Sequence, residues 1–436
     1  RSVTGASENV QEKTVKRKKK RAVLAVNGGP KTVRSNQARI QHWPDTGAEE
    51  IAAATRLIKS GELSFSDDAE ILTREFKKLV GIRHAVPCNN GTAAGHSCFF
   101  AIGIRPGDEI ITPSFTFWAS ILQALHLGGV PVFAEMDPKT LNIDPDDIEH
   151  RITRRTKAVV VVHMLGVPCE MTPIMRIARR HRLKVIEDCS HAHGATYRGR
   201  PVGTFGDVSF FSFQTSKLMP AGEGGIFCTN RAEYYHRALA FGHYGRNKQV
   251  KSPYQRFQTG LGCKYRIHPI AAAIALCQLR KLKRHHRTKD VNCRYFHRGL
   301  RKLKCWDIND APGYMKRVWY QDWQPWNPEA APGVTKARFI EALEAEGCVV
   351  RDARYNLLHQ HEIFADPDVY TRHGIFPVFA DLPNKPIYRG NELPVSEATR
   401  QKLIWLPTFP NGTKKHVDEY LRAFRKVEDN LDELRR

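Results

Sequence analysis

Residues 211–225 read FSFQTSKLMPAGEGG, and they carry one lysine, Lys217, out of an apolar segment into a turn of small residues. The segment 208–213 reads VSFFSF, and its one valine and three phenylalanines predict a buried strand. A second apolar stretch, at 183–188, ends in Asp188. Two neighbouring buried elements would therefore deliver an amine and a carboxylate to the same region, because ligands of such sheets collect at the carboxyl ends of strands.

This pair of groups suits one cofactor. Pyridoxal phosphate needs a lysine amine that binds its aldehyde and a carboxylate that keeps its pyridine nitrogen protonated. Lys217 and Asp188 are therefore the predicted catalytic residues. Without further evidence, an ordinary surface lysine and a strand-end cap would be the better interpretation of these two residues. The motifs described below favour the catalytic interpretation instead.

The composition indicates a globular protein of two domains. With 436 residues, the chain exceeds the size at which a single hydrophobic core keeps growing. Hydrophobic residues make up 41%, the mean hydropathy is −0.46, and no run approaches the roughly 18 apolar residues of a membrane span. The apolar segment 22–26, which follows a basic stretch, is too short for a signal peptide. We therefore expect a cytoplasmic protein with no membrane partner.

The cysteines and the charge exclude other classes. Ten scattered cysteines without a Cys-x-x-Cys pair predict reduced thiols and no metal site. Of the net charge of +23, residues 1–21 carry +6, from eight Lys/Arg and two Glu. The remaining basic residues are spread along the chain apart from a patch at 280–289, which we interpret as a solvated helix face. No nucleic-acid-binding signature is present, so we expect no nucleic-acid partner.

The chain pattern predicts an α/β fold. Residues 1–21 are polar and charged, which predicts a disordered basic tail. Strand-like and helical segments then alternate, which is typical of a helix-covered sheet rich in parallel strands. The predicted strands are 109–112, 130–134, 158–163, 184–188, 208–213 and 225–229, and the predicted helices include 173–182 and 271–287. We expect a large domain at 22–290 and a smaller α+β domain at 291–436.

Several segments could hold a phosphorylated ring. Small residues at 89–94 precede a helical pattern, so backbone N–H groups and the Thr92 hydroxyl could bind a phosphate there, although Asn-Gly also marks ordinary turns. The aromatic run 115–118 could stack on a flat ring or could simply pack in the core. Ser212 could donate to the phosphate, and His191 could bond the ring oxygen; each also has an ordinary structural interpretation.

Taken together, these motifs resemble the DegT/DnrJ/EryC1/StrS family of pyridoxal phosphate-dependent aminotransferases, which act on keto-sugars and keto-cyclitols. The resemblance spans about residues 28–426, and within the family it is strongest to inosose aminotransferases and aminohydroxybenzoate synthases. It rests on five segments in the same order: NGTAA at 90–94, GDEIITPSFTF at 107–117, DPKTLNIDP at 137–145, EDCSHAHGA at 187–195 and the lysine run at 211–225.

The resemblance implies a type I transferase fold, like that of aspartate aminotransferase, and a homodimer whose sites form at the subunit interface. It implies that Lys217 binds the cofactor covalently and that Asp188 pairs with the pyridinium. The other implied cofactor-binding residues are Gly91, Thr92, Ala93 and Ser212 at the phosphate, Phe117 at the ring face and His191 at the ring oxygen. Many relatives have asparagine where this chain has Lys264, which we expect to reach the phosphate of the neighbouring subunit.

The predicted function is amino transfer from glutamate or glutamine to a keto-sugar or keto-cyclitol. Arg354, Tyr355 and His359 are candidate substrate residues, although an ordinary surface loop would also fit that segment. An aminohydroxybenzoate-type dehydratase that keeps its lysine is one alternative. A non-catalytic regulator that binds nucleic acid through the basic tail is another.

Overall fold

The computed structural model describes residues 22–372 and 374–435. The predicted disordered tail at 1–21 lies outside these residues. The helices are α1 Gln37–Ile40, α2 Ala48–Ser60, α3 Asp67–Val80, α4 Gly91–Ile102, α5 Pro145–His150, α6 Met171–Arg180, α7 Ala232–Gly242, α8 Tyr244–Asn247, α9 Pro269–Leu300, α10 Lys336–Ala345, α11 Glu362–Ala365, α12 Pro394–Lys402 and α13 Lys414–Asp429. Among the described helices, none combines the length and the apolar character needed to cross a membrane.

The strands form one large sheet and two small ones. Their bounds are β1 His84–Cys88, β2 Glu109–Pro113, β3 Val130–Ala134, β4 Thr156–Val162, β5 Lys184–Asp188, β6 Thr196–Tyr197, β7 Arg200–Pro201, β8 Val208–Ser212, β9 Gly225–Thr229, β10 Met315–Lys316, β11 Asp322–Pro325, β12 Arg351–Asp352 and β13 Leu403–Leu406. The large sheet has the order β1-β9-β8-β5-β4-β2-β3. Its strands from β3 to β8 pair in parallel, whereas β9 and β1 are antiparallel to their neighbours.

Helices cover both faces of the large sheet, because successive strand residues point to opposite sides. Phe210 packs in the same core as Phe99 of α4. Its neighbour Phe211 packs on the other face, where its ring meets Phe76 of α3 at a centroid distance of 4.9 Å. The predicted α/β fold with a mostly parallel central sheet is confirmed.

The C-terminal region has a separate core. Helices α10 and α13 pack together through Phe339 and Phe424, and the N-terminal residues Leu24 and Val33 join the same cluster. Helix α9 runs without interruption across residue 290, from the large sheet to this core. The division at 290 stays a prediction, and we propose that α9 is the element shared between the two parts.

Candidate active site

Asp188 lies at the carboxyl end of β5 and is 5% exposed. Its Oδ2 accepts a hydrogen bond of 2.7 Å from the hydroxyl of Ser120, and its Oδ1 accepts one of 2.9 Å from the backbone N–H of Ser190. A buried carboxylate is costly unless donors surround it. These two donors fix the carboxylate where parallel strands end, which is the place that the sequence predicts.

Lys217 follows β8 in a tight turn and is 8% exposed. Its backbone N–H donates to the carbonyl of Gln214 at 2.8 Å, and its own carbonyl accepts from the indole N–H of Trp43 at 3.1 Å. The amine lies 4.6 Å from the ring centroid of Tyr320 and 3.5 Å from the Tyr320 hydroxyl. The backbone of this lysine is therefore held from two sides while its amine faces an aromatic side chain.

Helix α4 starts at Gly91, where the sequence predicts an anion cradle. Its N-cap, Asn90, accepts from the Ala93 N–H at 2.7 Å. A Cβ added at Gly91 would lie 2.7 Å from the Cβ of Ser212, so only glycine lets the helix start pack this closely on the end of β8. The close approach brings free backbone N–H groups and the Ser212 hydroxyl to the positive end of a helix. Such an end binds phosphate.

A cavity of about 720 Å³ borders Lys217 and the start of α4, whereas Asp188, Ala93 and Ser212 are not among its lining residues. Its aromatic wall consists of Phe117, Trp118, Tyr320 and Tyr355. The other lining residues are one leucine, Leu358, and residues that are polar or belong to the cradle: Asn90, Gly91, Thr92, Thr116, Gln214, Ser216, Lys217, Glu223, Arg354, Asn356 and His361. The structure thus brings the predicted lysine, cradle, ring-stacking residue and two of the three predicted substrate residues to one cavity.

His191 lies behind this wall and is 3% exposed. Its imidazole stacks on the ring of Tyr320 with centroids 4.1 Å apart and planes 19° apart. Burial, followed by the nearby Lys217 charge, holds the pKa of His191 well below its usual value. Its Nδ1 accepts from the Leu165 N–H at 3.4 Å. The histidine is therefore neutral, and its Nε2 carries the remaining proton.

Two predicted site residues lie elsewhere. His359 is fully buried, and its ring nitrogens bond Ser114 at 2.7 Å and Glu397 at 3.2 Å. It therefore packs behind the cavity wall, and His361 lines the cavity instead. Lys264 is exposed and lines a different depression beside Arg266 and Ser64. It is not among the described residues that line the Lys217 cavity.

Three side chains of a type that can ligate metals lie close together at the end of β5: His163, Glu187 and Cys189. The Glu187 carboxylate accepts from His163 Nε2 at 3.1 Å and from the backbone N–H groups of Gly203 and Gly206 at 2.8 and 2.6 Å. Both oxygens are thus already engaged by protein donors. We interpret the group as an anchor that holds the strand carrying Asp188.

Sequence reasoning missed Ser120, Trp43 and Tyr320. Ser120 lies two residues beyond the aromatic run 115–118, in which only the aromatic side chains suggest a binding role. Tyr320 lies in the part of the chain that the sequence assigns to the smaller domain at 291–436, away from the cofactor motifs. The contacts that bring Trp43 and Tyr320 to Lys217 join residues more than 100 positions apart, so no local pattern could have indicated them.

The residues present fit pyridoxal phosphate. The helix start at Gly91 and the Ser212 hydroxyl suit the phosphate, and the buried Asp188 carboxylate suits a protonated ring nitrogen. Phe117 lies on the wall of the cavity that Lys217 also lines. Lys217 supplies the amine that the cofactor aldehyde requires. The fold and this site define a pyridoxal phosphate-dependent aminotransferase.

Comparison with known proteins agrees. Residues 44–385 match the model of the DegT/DnrJ/EryC1/StrS aminotransferase family, and the chain belongs to this family. It is 33% identical, over 83% of its length and 86% of the relative's, to a provisionally named L-glutamine:3-amino-2,3-dideoxy-scyllo-inosose aminotransferase of Streptoalloteichus tenebrarius. It is 30% identical to the spore coat polysaccharide biosynthesis protein SpsC of Bacillus subtilis, over 89% of its length and 97% of that protein.

Solved structures show the same fold. The chain is similar to DesI, whose structure was determined in the presence of its TDP-sugar product, with a TM-score of 0.76 and 27% identity. The match covers 94% of this chain and 97% of DesI.

Proposed function

We propose that this enzyme transfers the amino group of glutamine or glutamate to a ketone on a sugar or cyclitol, in the biosynthesis of amino sugars, aminocyclitols or antibiotics. The observation that carries the proposal is the cavity beside Lys217. Its polar lining supplies amide, carboxylate, guanidinium and imidazole groups from Gln214, Glu223, Arg354 and His361. Side chains of this kind suit a polyhydroxylated substrate, since each substrate hydroxyl needs a hydrogen-bond partner when it leaves water.

We infer a task for each of the main site residues. When bound, pyridoxal phosphate supplies an electron sink that stabilises negative charge at the donor α-carbon. Lys217 Nζ acts first as the base that takes the α-proton and then as the acid that returns it. Asp188, held by Ser120, would pair with the protonated ring nitrogen of the bound cofactor. Phe117 and Tyr355 contribute aromatic rings to the cavity wall.

We also propose that the active form is a homodimer in the cytoplasm. Lys264 is exposed and is not among the residues that line the Lys217 cavity of its own chain, which supports a role toward the phosphate of a partner subunit. A lysine would act there as a point charge. All ten cysteines are free and nine of them are buried, which suits a reducing compartment.

The test is a panel of keto-cyclitols and nucleotide-linked keto-sugars, each with glutamine and glutamate, with products identified by mass spectrometry. We expect an amine product from at least one ketone. Lys217→Ala should abolish both that product and the absorption band of the lysine-bound cofactor, whereas Lys415→Ala, at an exposed position of α13, should leave both intact. Dehydration products without an amine would refute the proposed reaction.

A further inference from the structure

Tyr320 connects the buried amine of Lys217 to solvent. The Lys217 amine and the Tyr320 hydroxyl lie 3.5 Å apart, and the same hydroxyl lies 3.1 Å from the Ser216 hydroxyl. Lys217 and Tyr320 are 8% and 6% exposed, whereas Ser216 is an exposed residue. Two successive contacts thus connect the buried Lys217 amine, through the Tyr320 hydroxyl, to the hydroxyl of an exposed residue.

The surroundings of the Tyr320 hydroxyl favour proton exchange. Burial raises its pKa, but the Lys217 charge and the bond with Ser216 outweigh burial and bring the pKa below its ordinary value. The other titratable groups that face the ring are His191, which is neutral, and Tyr355, whose pKa burial raises. Tyr320 is therefore the phenol of this cluster that passes a proton most readily.

We propose that Tyr320 and Ser216 form the proton path between the Lys217 amine and solvent during amino transfer. The inference rests on the proposed role of Lys217 as the base and acid of the reaction. When the Lys217 ammonium gives up a proton, its N–H bond breaks and an O–H bond forms at Tyr320. The original Tyr320 proton passes to the Ser216 oxygen, and the Ser216 proton passes to water. No oxidant or reductant is needed.

The proposed path predicts where a deuterium label on the α-carbon of the amino donor ends up. A deuteron taken from an α-deuterated amino donor by Lys217 can leave through Tyr320 before Lys217 returns it. The wild-type enzyme should therefore lose most of the label to water, and Tyr320→Phe should retain several-fold more of it in the pyridoxamine phosphate formed in a single turnover. Phenylalanine keeps the ring that stacks on His191 but lacks the hydroxyl. The matched control is Tyr314→Phe, which removes the hydroxyl of a tyrosine bonded to Glu170 instead; it should behave as wild type.

A second readout uses the cofactor-free protein. Ultraviolet difference titration should show one tyrosine that ionises at a lower pH than the others. This signal should vanish in Tyr320→Phe. It should move to higher pH in Lys217→Met, because that variant lacks the lysine cation. Equal label retention in wild type and Tyr320→Phe would overturn the path. If Tyr320→Phe does not bind the cofactor, Ser216→Ala decides: raised retention supports the path, and unchanged retention overturns it. A failure of the Lys217 assignment looks different, because Lys217→Ala would then keep the cofactor absorption band.

Discussion

The indole N–H of Trp43 donates a hydrogen bond of 3.1 Å to the backbone carbonyl of Lys217, 174 positions further along the chain. The Trp43 ring in turn lies under the Lys289 ammonium, 4.0 Å from the ring centroid, and against the edge of His285 at 5.0 Å. The turn that carries Lys217 is therefore connected to α9 through one side chain. We infer that Trp43 positions the lysine and takes no part in the chemistry itself.

Replacing Trp43 by phenylalanine should test this positioning role. The ring under Lys289 is kept, but the donor to the Lys217 carbonyl is lost. One neutral hydrogen bond contributes about 1 kcal/mol, so we expect kcat to fall about fivefold. KM should not change, because Trp43 does not line the cavity.

The matched control is Trp405→Phe. Trp405 also lies under a cation, with Arg351 4.2 Å from its ring centroid, but its indole N–H has no hydrogen-bond partner among the described residues. Steady-state kinetics of the two variants should distinguish the loss of the hydrogen-bond donor to Lys217 from the loss of an indole ring as such, because only Trp43→Phe should lower kcat. Equal kcat values for the two would contradict the positioning role.

Gly91→Ala should impair cofactor binding. The added Cβ would lie 2.7 Å from the Cβ of Ser212, so the start of α4 must move away from β8. Overpacking of this kind costs about 1–3 kcal/mol, and if this cost falls on the cofactor-bound state, the Kd of pyridoxal phosphate should rise by about five- to 150-fold. Gly47→Ala is the control, since a Cβ at this other helix start meets nothing within 4 Å. Fluorescence titration with the cofactor measures both, and a normal Kd for Gly91→Ala would argue against the cradle.

The large sheet was predictable from the sequence because its central strands are apolar runs between turns. β3, β5 and β9 have the predicted bounds. β1 was missed, since its sequence His-Ala-Val-Pro-Cys contains a proline that removes a ladder donor. The structure places β1 at the edge of the sheet, where such a residue is tolerated.

The contacts of α9 were not predictable. Its basic stretch 280–289 was interpreted as a solvated face, and Arg284 is indeed exposed. Lys289 and His285 are nevertheless only 3% and 6% exposed, because Trp43 and Asp45 from a distant part of the chain cover them. Composition shows how many charges a helix carries, but which of them another segment covers depends on the tertiary fold.

Ser120→Ala should weaken the hold on Asp188. The hydroxyl donates to the carboxylate at 2.7 Å in a site that is 1% exposed, and water has little access to replace it. A hydrogen bond to a charged group contributes about 1.5–3 kcal/mol, so kcat/KM should fall by about one to two orders of magnitude. Ser209→Ala, which removes an equally buried hydroxyl bonded to the Gly203 carbonyl, is the control. Equal kcat/KM values for the two variants would show that Ser120 does not support the carboxylate.

Stability should fall below about pH 6.5, because several histidines are buried in the neutral form. Burial lowers the pKa of His193 to about 3, and this ring packs against Phe211 at a centroid distance of 5.3 Å. Between pH 6.5 and 3 the unfolded chain binds a proton at this position that the folded protein does not, so acid favours unfolding. His193→Leu should reduce the slope of the unfolding free energy by about 1.4 kcal/mol per pH unit in this window. Urea titrations at several pH values measure the slope. The exposed His42→Leu is the control, and equal slopes for His193→Leu and wild type would contradict the neutral burial of His193.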